Sequence, residues 1–170
     1  MRNFYFILLF IPFFSFSQKE DSLLQYVTDC NFKSLNEKEY KIGDRILAPE
    51  IEFIIYTCSK PINEKHSPNS IQKIVDFIKF NPNSTIEIGF HTDARGTYSS
   101  NLVLSKRRGK TIDEEIKRYY GNYSNYTVKG YGENEPIIPL KNILAIKEKR
   151  DRDKYYRINR RIELRIIAVK

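Results

Sequence analysis

Residues that build metal sites are scarce in this sequence. Its 170 residues include two cysteines, Cys30 and Cys58, and two histidines, His66 and His91. No cluster of histidine, cysteine and acidic residues has the spacing of a zinc or iron site. His91 is explained more simply as a strand-end residue whose ring nitrogen holds the following turn. The sequence therefore predicts no metal ligands and no cofactor.

The signatures of a catalytic nucleophile are also missing. An enzyme would need His91 or Asp93 to act as a general base on a nearby serine such as Ser99 or Ser105. No G-x-S-x-G turn or related nucleophile context surrounds either serine. The sequence therefore predicts a protein that is not an enzyme.

Long apolar runs are confined to the amino terminus. Residues 4–16 are almost entirely apolar, follow a short basic head and lead into a small-x-small pattern at residues 15–17. The run is well short of the ~20 residues that a membrane-spanning helix needs, and the pattern is typical of a secretory signal peptide. Since no cysteine stands at the cleavage point, lipidation by that route is excluded. We predict a signal peptide over residues 1–17 and an exported product.

The two cysteines leave two alternatives open. In an exported chain, Cys30 and Cys58 could form a disulfide that restricts the unfolded chain by roughly 3 to 4 kcal/mol in the loop-entropy model. Alternatively, both remain free thiols. A mass comparison under reducing and non-reducing conditions distinguishes the two, because forming the bond removes about 2 Da.

The chain is basic, with a net charge of +8 and an isoelectric point near 9.4. A basic surface favours polyanions such as nucleic acid, acidic lipid headgroups or the carboxylates of peptidoglycan. Basic residues do lie near aromatic ones around Tyr98 and Tyr155, but export argues against nucleic acid. We therefore predict no nucleic-acid partner.

The most informative stretch of the chain runs over residues 85–119. Its first part alternates apolar with polar or small residues, which predicts a half-buried strand that ends at His91. A glycine-containing turn follows, and Ser99 and Ser100 offer N-cap hydroxyls for a helix. The apolar stripe of that helix has a four-residue spacing and contains one charge; its members are Leu104, Arg108, Ile112 and Ile116.

Asp93 and Arg108 form the candidate binding pair of this stretch. Asp93 lies just past the carboxyl end of the strand, where open α/β sheets place their ligand crevices. An opposed carboxylate and guanidinium suit a ligand that carries both an ammonium and a carboxylate. The alternative is an internal salt bridge that closes the structure.

The remaining elements complete an α/β domain of the α+β sandwich type. We predict further strands at residues 51–55, 126–130 and 162–166, and a solvated face or short surface helix within residues 141–156. We also predict a helix that is capped by Ser67, has Pro68 at its first helical position and ends at residues 81–83. The order β-α-β-α-β-β predicts a mixed four-stranded sheet with its helices packed on one face. Residues 44–170 form this domain, and residues 18–43 form a loosely packed N-terminal extension.

Four ordered blocks of the sequence resemble the OmpA-like peptidoglycan-binding domain. They are H-T-D-A-R-G at residues 91–96, N-L-V-L-S-K-R-R at residues 101–108, G-Y-G-E at residues 130–133 and N-R-R-I-E at residues 159–163. The pattern of the family is H-T-D-x-x-G, N-x-x-L-S-x-x-R, G-x-G-E and N-R-R-x-E in the same order. The resemblance therefore covers most of the predicted domain.

The resemblance implies the OmpA-like fold and non-catalytic binding of peptidoglycan. By position, Asp93 and Arg108 would hold the diaminopimelate, or an equivalent diamino acid, of the stem peptide. Thr92, Asn101 and Leu104 fall on positions that line or shape the same pocket. The implied role is to anchor an envelope protein or the outer membrane to the cell wall, in the periplasm of a Gram-negative bacterium.

The sequence departs from the pattern of the family in two places. The family often has Phe-Asp at the end of its first strand, where this chain has Ile55 and Tyr56, so an acidic contact to the ligand is missing. The position after the last arginine of the second block is usually alanine and here is Gly109, which predicts a helix weaker by up to about 1 kcal/mol.

A second function stays open beside peptidoglycan binding. The chain could be a structural or assembly component of an envelope complex that uses the OmpA-like fold for protein–protein contact without a ligand. Residues 18–43 or the basic surface would then meet the partner protein. A domain that had lost its ligand would have no need of both Asp93 and Arg108 in a pocket, so this pair favours binding.

Overall fold

The secondary structure follows the hydrophobic periodicity of the chain. The computed structural model describes residues 29–51 and 67–170. In chain order its elements are β1 (Arg45–Leu47), α1 (Ser67–Phe80), β2 (Ser84–His91), α2 (Tyr98–Tyr119), β3 (Tyr126–Gly132), α3 (Leu140–Leu144), α4 (Lys149–Asn159) and β4 (Ile162–Val169).

The four strands form one mixed sheet in the order β1-β4-β2-β3. β4 runs antiparallel to both β1 and β2, whereas β2 and β3 are parallel. A parallel pair needs a crossover connection, and α2 supplies it between β2 and β3. The prediction of a mixed four-stranded α/β sheet is therefore confirmed.

The main hydrophobic core lies between the sheet and the helices α1 and α2. Side chains of β2 and β4 that point to this face are fully or almost fully buried, because successive strand residues alternate between the two faces. The predicted stripe of α1 is buried in full, and the helix ends at Phe80, just before Asn81 and Pro82 as predicted. The buried stripe consists of Ile71, Ile74, Val75 and Ile78.

The start of α2 differs from the prediction. Thr97, rather than Ser99 or Ser100, is the N-cap, and it forms a capping box with Ser100. The Ser100 backbone N–H donates to the Thr97 hydroxyl (3.2 Å), and the Thr97 backbone N–H donates to the Ser100 hydroxyl (3.1 Å). At the other end, Gly121 has φ +102° and stops the helix as predicted.

The buried face of α2 is also rotated from the predicted stripe. Ile112 and Ile116 are buried as expected, but Leu104 and Arg108 are only half-buried and lie beside the contact face. The residues that face the sheet in the first half of the helix are small or polar, namely Asn101, Ser105 and Gly109.

Close contact between α2 and β3 explains this rotation. A Cβ atom on Gly130 would lie 2.5 Å from the backbone nitrogen of Lys106, and a Cβ atom on Gly109 would lie 2.7 Å from Cγ1 of Val128. The helix therefore packs with its main chain almost against the strand, where larger side chains have no room. Gly109 is better explained by this contact than as a mere weak point in the helix.

A second, smaller core lies around α3 and α4. It contains Ile137, Ile138, Ile143, Tyr155 and Tyr156, with Cys30 and Phe32 packed against it. Residues 141–156, predicted as a solvated face or short surface helix, thus contain two helices that bury one side each.

The described part of the N-terminal extension packs more closely than predicted. Leu35 and Tyr40 contact the main core, and the edge of the Tyr40 ring meets the Phe77 ring with 5.0 Å between centroids. The short strand β1 was not predicted, because three residues show no periodicity. Residues 29–43 therefore contribute to the packing of the domain.

Several predictions fall on residues outside the described ranges. These are the signal peptide at residues 1–17, most of the strand at residues 51–55, Tyr56 and Cys58. Ile51 itself is described, and it is buried outside any strand. Among the described helices, none has the length and apolar content to cross a membrane.

Candidate functional site

Asp93 lies two residues past the end of β2, and its carboxylate is almost completely buried. Oδ1 accepts a hydrogen bond from the Arg95 backbone N–H (3.0 Å). Oδ2 accepts from Nη2 of Arg95 (2.9 Å) and from Nη1 of Arg160 (2.5 Å). Two guanidinium groups, one from the turn after β2 and one from the end of α4, therefore meet the same carboxylate.

These contacts keep Asp93 ionised. Burial alone would raise the pKa of Asp93, but the hydrogen bonds from Arg95 and Arg160 outweigh it and hold that pKa below its usual range. The buried carboxylate is therefore a fixed negative charge at the carboxyl end of the central strand.

Asn101 holds the main chain beside this charge. Its Nδ2 donates to the Asp93 carbonyl oxygen (3.1 Å) and also to the carboxylate of Glu133. On the same edge, the Thr92 backbone N–H donates to the Gly132 carbonyl (2.9 Å), and the Gly132 N–H donates to the Ser105 hydroxyl (2.8 Å). Main-chain and side-chain bonds thus join the end of β2 to α2 and β3.

All four sequence blocks that carry the resemblance meet around Asp93. The first supplies Thr92 and Asp93, the second Asn101, the third Glu133 and the fourth Arg160. Residues up to 67 positions apart in sequence are in direct contact here. The blocks therefore describe one local structure rather than four separate ones.

Leu104 and Arg108 lie one turn apart on α2, each half-buried. The guanidinium groups that neutralise Asp93 are those of Arg95 and Arg160, and neither was predicted as its partner. Arg160 belongs to the N-R-R-x-E block, so that block was the available signal. The shared ligand site of Asp93 and Arg108 stays a prediction.

A buried ionic cluster lies on the face of the sheet opposite α1 and α2. Glu163 is fully buried and accepts hydrogen bonds from Nε of Arg45 (2.6 Å), Nε of Arg165 (2.6 Å) and Nε of Arg161 (3.0 Å). Burial would raise the pKa of Glu163, but Arg45 and Arg165 lower it to about 2. The alternation of β4 predicted nothing special for this residue.

His91 lies beside this cluster. The prediction that its ring nitrogen holds the following turn is wrong. Its ring stacks on Tyr131 with 4.7 Å between centroids and 5° between planes. Nε2 lies 3.8 Å from Oε2 of Glu163, and within the described ranges neither ring nitrogen has a hydrogen-bond partner. Burial and, after it, the positive charge of Arg161 lower the pKa of His91 from 6.5 to about 3.

Because of His91, the stability of the fold should decrease at pH values higher than those at which carboxylates titrate. Because the pKa of His91 is about 3 in the folded state and 6.5 when unfolded, the unfolded chain takes up the proton first. The free energy of unfolding should fall as the pH drops below 6.5, with a slope approaching ~1.4 kcal/mol per pH unit.

We expect His91→Phe, which keeps a ring against Tyr131, to remove most of this slope. Urea denaturation of both proteins between pH 7 and pH 5 measures it. If the free energy of unfolding of the wild type is constant over that range, the pKa of His91 is not lowered in the folded state.

Cys30 is half-buried in the structure, and the choice between a disulfide and free thiols stays open. Its predicted partner, Cys58, lies outside the described ranges. Within those ranges, no group of three histidine, cysteine or acidic residues is placed to hold a metal ion.

A basic cleft adjoins Asp93. It has a volume of about 610 Å³ and is lined by Arg95, Arg150, Asp153, Lys154, Arg157 and Arg160. Nη1 of Arg95 donates to Oδ1 of Asp153 (3.1 Å), and its guanidinium lies over the ring of Tyr156, 4.9 Å from the centroid. Arg95 and Arg160 therefore belong both to the surroundings of Asp93 and to the cleft.

Sequence comparisons place the chain among known proteins. The sequence model of the OmpA family matches residues 59–150. Outer membrane porin F of Pseudomonas aeruginosa is 31% identical over 75 residues, which are 44% of this chain and 21% of the porin. Photosystem I P700 chlorophyll a apoprotein A2 of Gloeobacter violaceus is 28% identical over 97 residues, 57% of this chain and 11% of that protein. The chain thus spans less than a quarter of either relative.

Solved structures share the fold. The cell wall anchor of the T6SS from Pseudomonas aeruginosa has a TM-score of 0.52 at 18% identity, over 86% of this chain and 96% of that one. A putative MotB-like protein from Desulfovibrio vulgaris has a TM-score of 0.52 at 18% identity, over 87% of this chain and 90% of that one. The likenesses confirm the predicted fold.

Proposed function

The chain belongs to the OmpA family, and we propose that it binds peptidoglycan without covalent attachment and anchors an envelope protein or the outer membrane to the cell wall. Domains of this family are non-catalytic. The recognised group is the diamino acid of the stem peptide, diaminopimelate or an equivalent. Asp93 takes its ammonium and Arg108 takes a carboxylate, while Thr92, Asn101 and Leu104 shape the pocket.

The observation that carries this proposal is the buried, ionised carboxylate of Asp93 at the point where the four sequence blocks meet. A buried charge is costly unless the surrounding groups hold it. Here a main-chain amide, two guanidinium groups and the bond from Asn101 to the adjacent carbonyl all fix it. Such a fixed charge suits the recognition of a cation.

Arg95 must give way for an ammonium to reach Asp93. Its side chain is 52% exposed, so its guanidinium can move into water while the ligand ammonium replaces it as the counter-charge of the buried carboxylate. Each charge-assisted contact to the ligand contributes about 1.5 to 3 kcal/mol. Loss of both the Asp93 and the Arg108 contact should therefore abolish a complex of micromolar affinity, which corresponds to about 8 kcal/mol in total.

The proposal includes export to the periplasm. Residues 1–17 are the proposed signal peptide, residues 18–43 the N-terminal extension and residues 44–170 the peptidoglycan-binding domain. The names of two similar proteins, an outer membrane porin and a cell wall anchor, fit this location in the envelope of a Gram-negative bacterium.

A sedimentation assay with purified peptidoglycan sacculi tests the proposal. Wild-type protein should sediment with the sacculi, whereas Asp93→Asn and Arg108→Gln should each stay mostly in solution. Arg107→Gln is the matched control, because Arg107 is the exposed neighbour of Arg108 on α2 and its loss changes the net charge equally. Circular dichroism verifies that each variant is folded.

The proposal would be overturned if the wild type and the three variants sedimented equally, or if the wild type did not sediment with the sacculi. The function would then be the structural alternative, in which residues 18–43 or the basic surface contact an envelope protein. The occupation of Asp93 by Arg95 and Arg160 is the observation that favours this alternative. Capture of envelope proteins by the immobilised chain, compared with a chain that lacks residues 18–43, would then identify the contact.

A further inference from the structure

The basic cleft beside Asp93 has more positive charge than its own residues neutralise. Five of its six lining side chains are cationic, and the carboxylate of Asp153 is the exception. Asp153 is engaged by Arg95. Nζ of Lys154 lies 3.0 Å from Oδ1 of Asp151, and Asp151 does not line the cleft. Asp93, beside the cleft, pairs with both Arg95 and Arg160. Arg150 and Arg157 are thus the cleft cations that form no ion pair within the described ranges, and the cleft carries an excess of positive charge.

The cations reach the cleft from different parts of the chain. Arg95 comes from the turn between β2 and α2, whereas Arg160 follows α4. Arg150 and Arg157 lie two turns apart on α4, both exposed, and this spacing puts them on the same side of the helix. The fold thus brings cations from two parts of the chain, the turn after β2 and α4 with its C-cap residue, around one volume.

The position of Arg150 is unfavourable for the isolated helix. It lies in the first turn of α4, where the helix dipole favours negative groups, and the N-cap residue Glu148 makes no side-chain capping bond. Asp151, the acidic residue of the same turn, pairs with Lys154. An anion bound in the cleft would balance the charge of Arg150.

We propose that this cleft binds a phosphate-bearing anion. A carboxylate offers two oxygens, which a single guanidinium can satisfy in a bidentate pair. A terminal phosphate group, as in a phosphomonoester or pyrophosphate, offers three non-bridging oxygens in different directions, which matches guanidinium groups that come from two parts of the chain. The phosphate comes either from an anionic lipid headgroup or from a soluble phosphate compound. The cleft shares Arg95 and Arg160 with the surroundings of Asp93, so the variant that tests it changes Arg150 and Arg157 instead.

Calorimetric titration with inorganic pyrophosphate at low ionic strength tests the cleft. The test variant is Arg150→Gln/Arg157→Gln, which removes two exposed cleft cations that form no ion pair within the described ranges. The control is Arg107→Gln/Arg118→Gln, which removes two exposed arginines from α2. We expect the cleft variant to lose affinity on the order of tenfold or more, and the control to stay close to wild type.

Sedimentation with vesicles separates the two sources of phosphate. Binding to vesicles that contain phosphatidic acid, but not to vesicles of phosphatidylcholine alone, identifies a lipid headgroup if the cleft variant loses this binding and the control does not. Cleft-dependent binding of pyrophosphate without vesicle binding identifies a soluble ligand. The proposal is overturned if wild type binds neither probe, or if both double variants lose binding equally.

Sacculi provide the last arm of the test. If the cleft variant loses sacculus binding while its affinity for pyrophosphate is unchanged, the cleft holds carboxylates of the stem peptide and the phosphate proposal is wrong. If the cleft variant binds sacculi normally but no longer binds pyrophosphate, the result supports the phosphate proposal, because phosphate and peptidoglycan then depend on different residues.

Discussion

Glu163→Gln should lower the free energy of unfolding by about 3 to 5 kcal/mol. The substitution keeps the shape of the side chain but removes the charge on which three arginines converge. Arg161 would be affected most, because its side chain is 5% exposed and its pKa is already lowered, first by burial. A buried guanidinium without a counter-charge is strongly destabilising.

Urea denaturation at neutral pH measures this effect, with Glu114→Gln as the control. Glu114 is an exposed glutamate paired with Lys110 on α2, and exposed pairs of this kind contribute about 0.3 to 0.5 kcal/mol. Equal stability of the two variants would show that water already solvates the arginines around Glu163.

The pH dependence provides a second signature for Glu163. Its pKa is about 2 in the folded state and 4.5 when unfolded, so its stabilising contribution is complete above the unfolded value. That contribution is lost as the pH falls from 4.5 towards 2. The difference between wild type and Glu163→Gln should therefore shrink over this range, whereas a packing defect would persist.

Gly130→Ala should destabilise the protein by about 3 kcal/mol, the upper end of the range for overpacking. The new Cβ would lie 2.5 Å from the backbone nitrogen of Lys106 and 2.8 Å from its Cα. Main-chain atoms cannot rotate away as a flexible side chain would. The strand and the helix α2 must therefore move apart, which opens a gap in the main core.

Thr127→Ala is the control for Gly130→Ala, because Thr127 is an exposed residue of the same strand. It should change the stability by only a few tenths of a kcal/mol, in keeping with the modest β-propensity of exposed positions. Thermal unfolding followed by circular dichroism compares the two. A melting temperature of Gly130→Ala within error of the control would contradict the close approach of α2 to β3.

Local patterns were sufficient to predict the elements that pack through apolar side chains. β2 and the stripe of α1 follow directly from alternation and from the spacing of their isoleucines, since each buries one regular face. Gly121 was recognisable as a helix stop because it needs a positive φ. The resemblance supplied the fold and the residues that meet around Asp93.

Long-range contacts account for most of what was missed. The partners of Asp93 depend on the return of the chain at Arg160, and no local pattern shows which guanidinium arrives there. The rotation of α2 has a similar cause, because a four-residue spacing fits two neighbouring faces of a helix equally well. Gly130 and Gly132 on β3 decide between them. Glu163 was missed because alternation alone suggests that the second face of a sheet is exposed.

The close contact of α2 with β3 also determines how the candidate site responds to mutation. Asn101, Leu104 and Arg108 are carried by a helix whose distance from the sheet is limited by main-chain atoms. Helices packed through long side chains can shift by about 1 to 2 Å when their contacts change. Here a shift towards the strand is blocked, so substitutions elsewhere in the core should reduce stability before they displace these three residues.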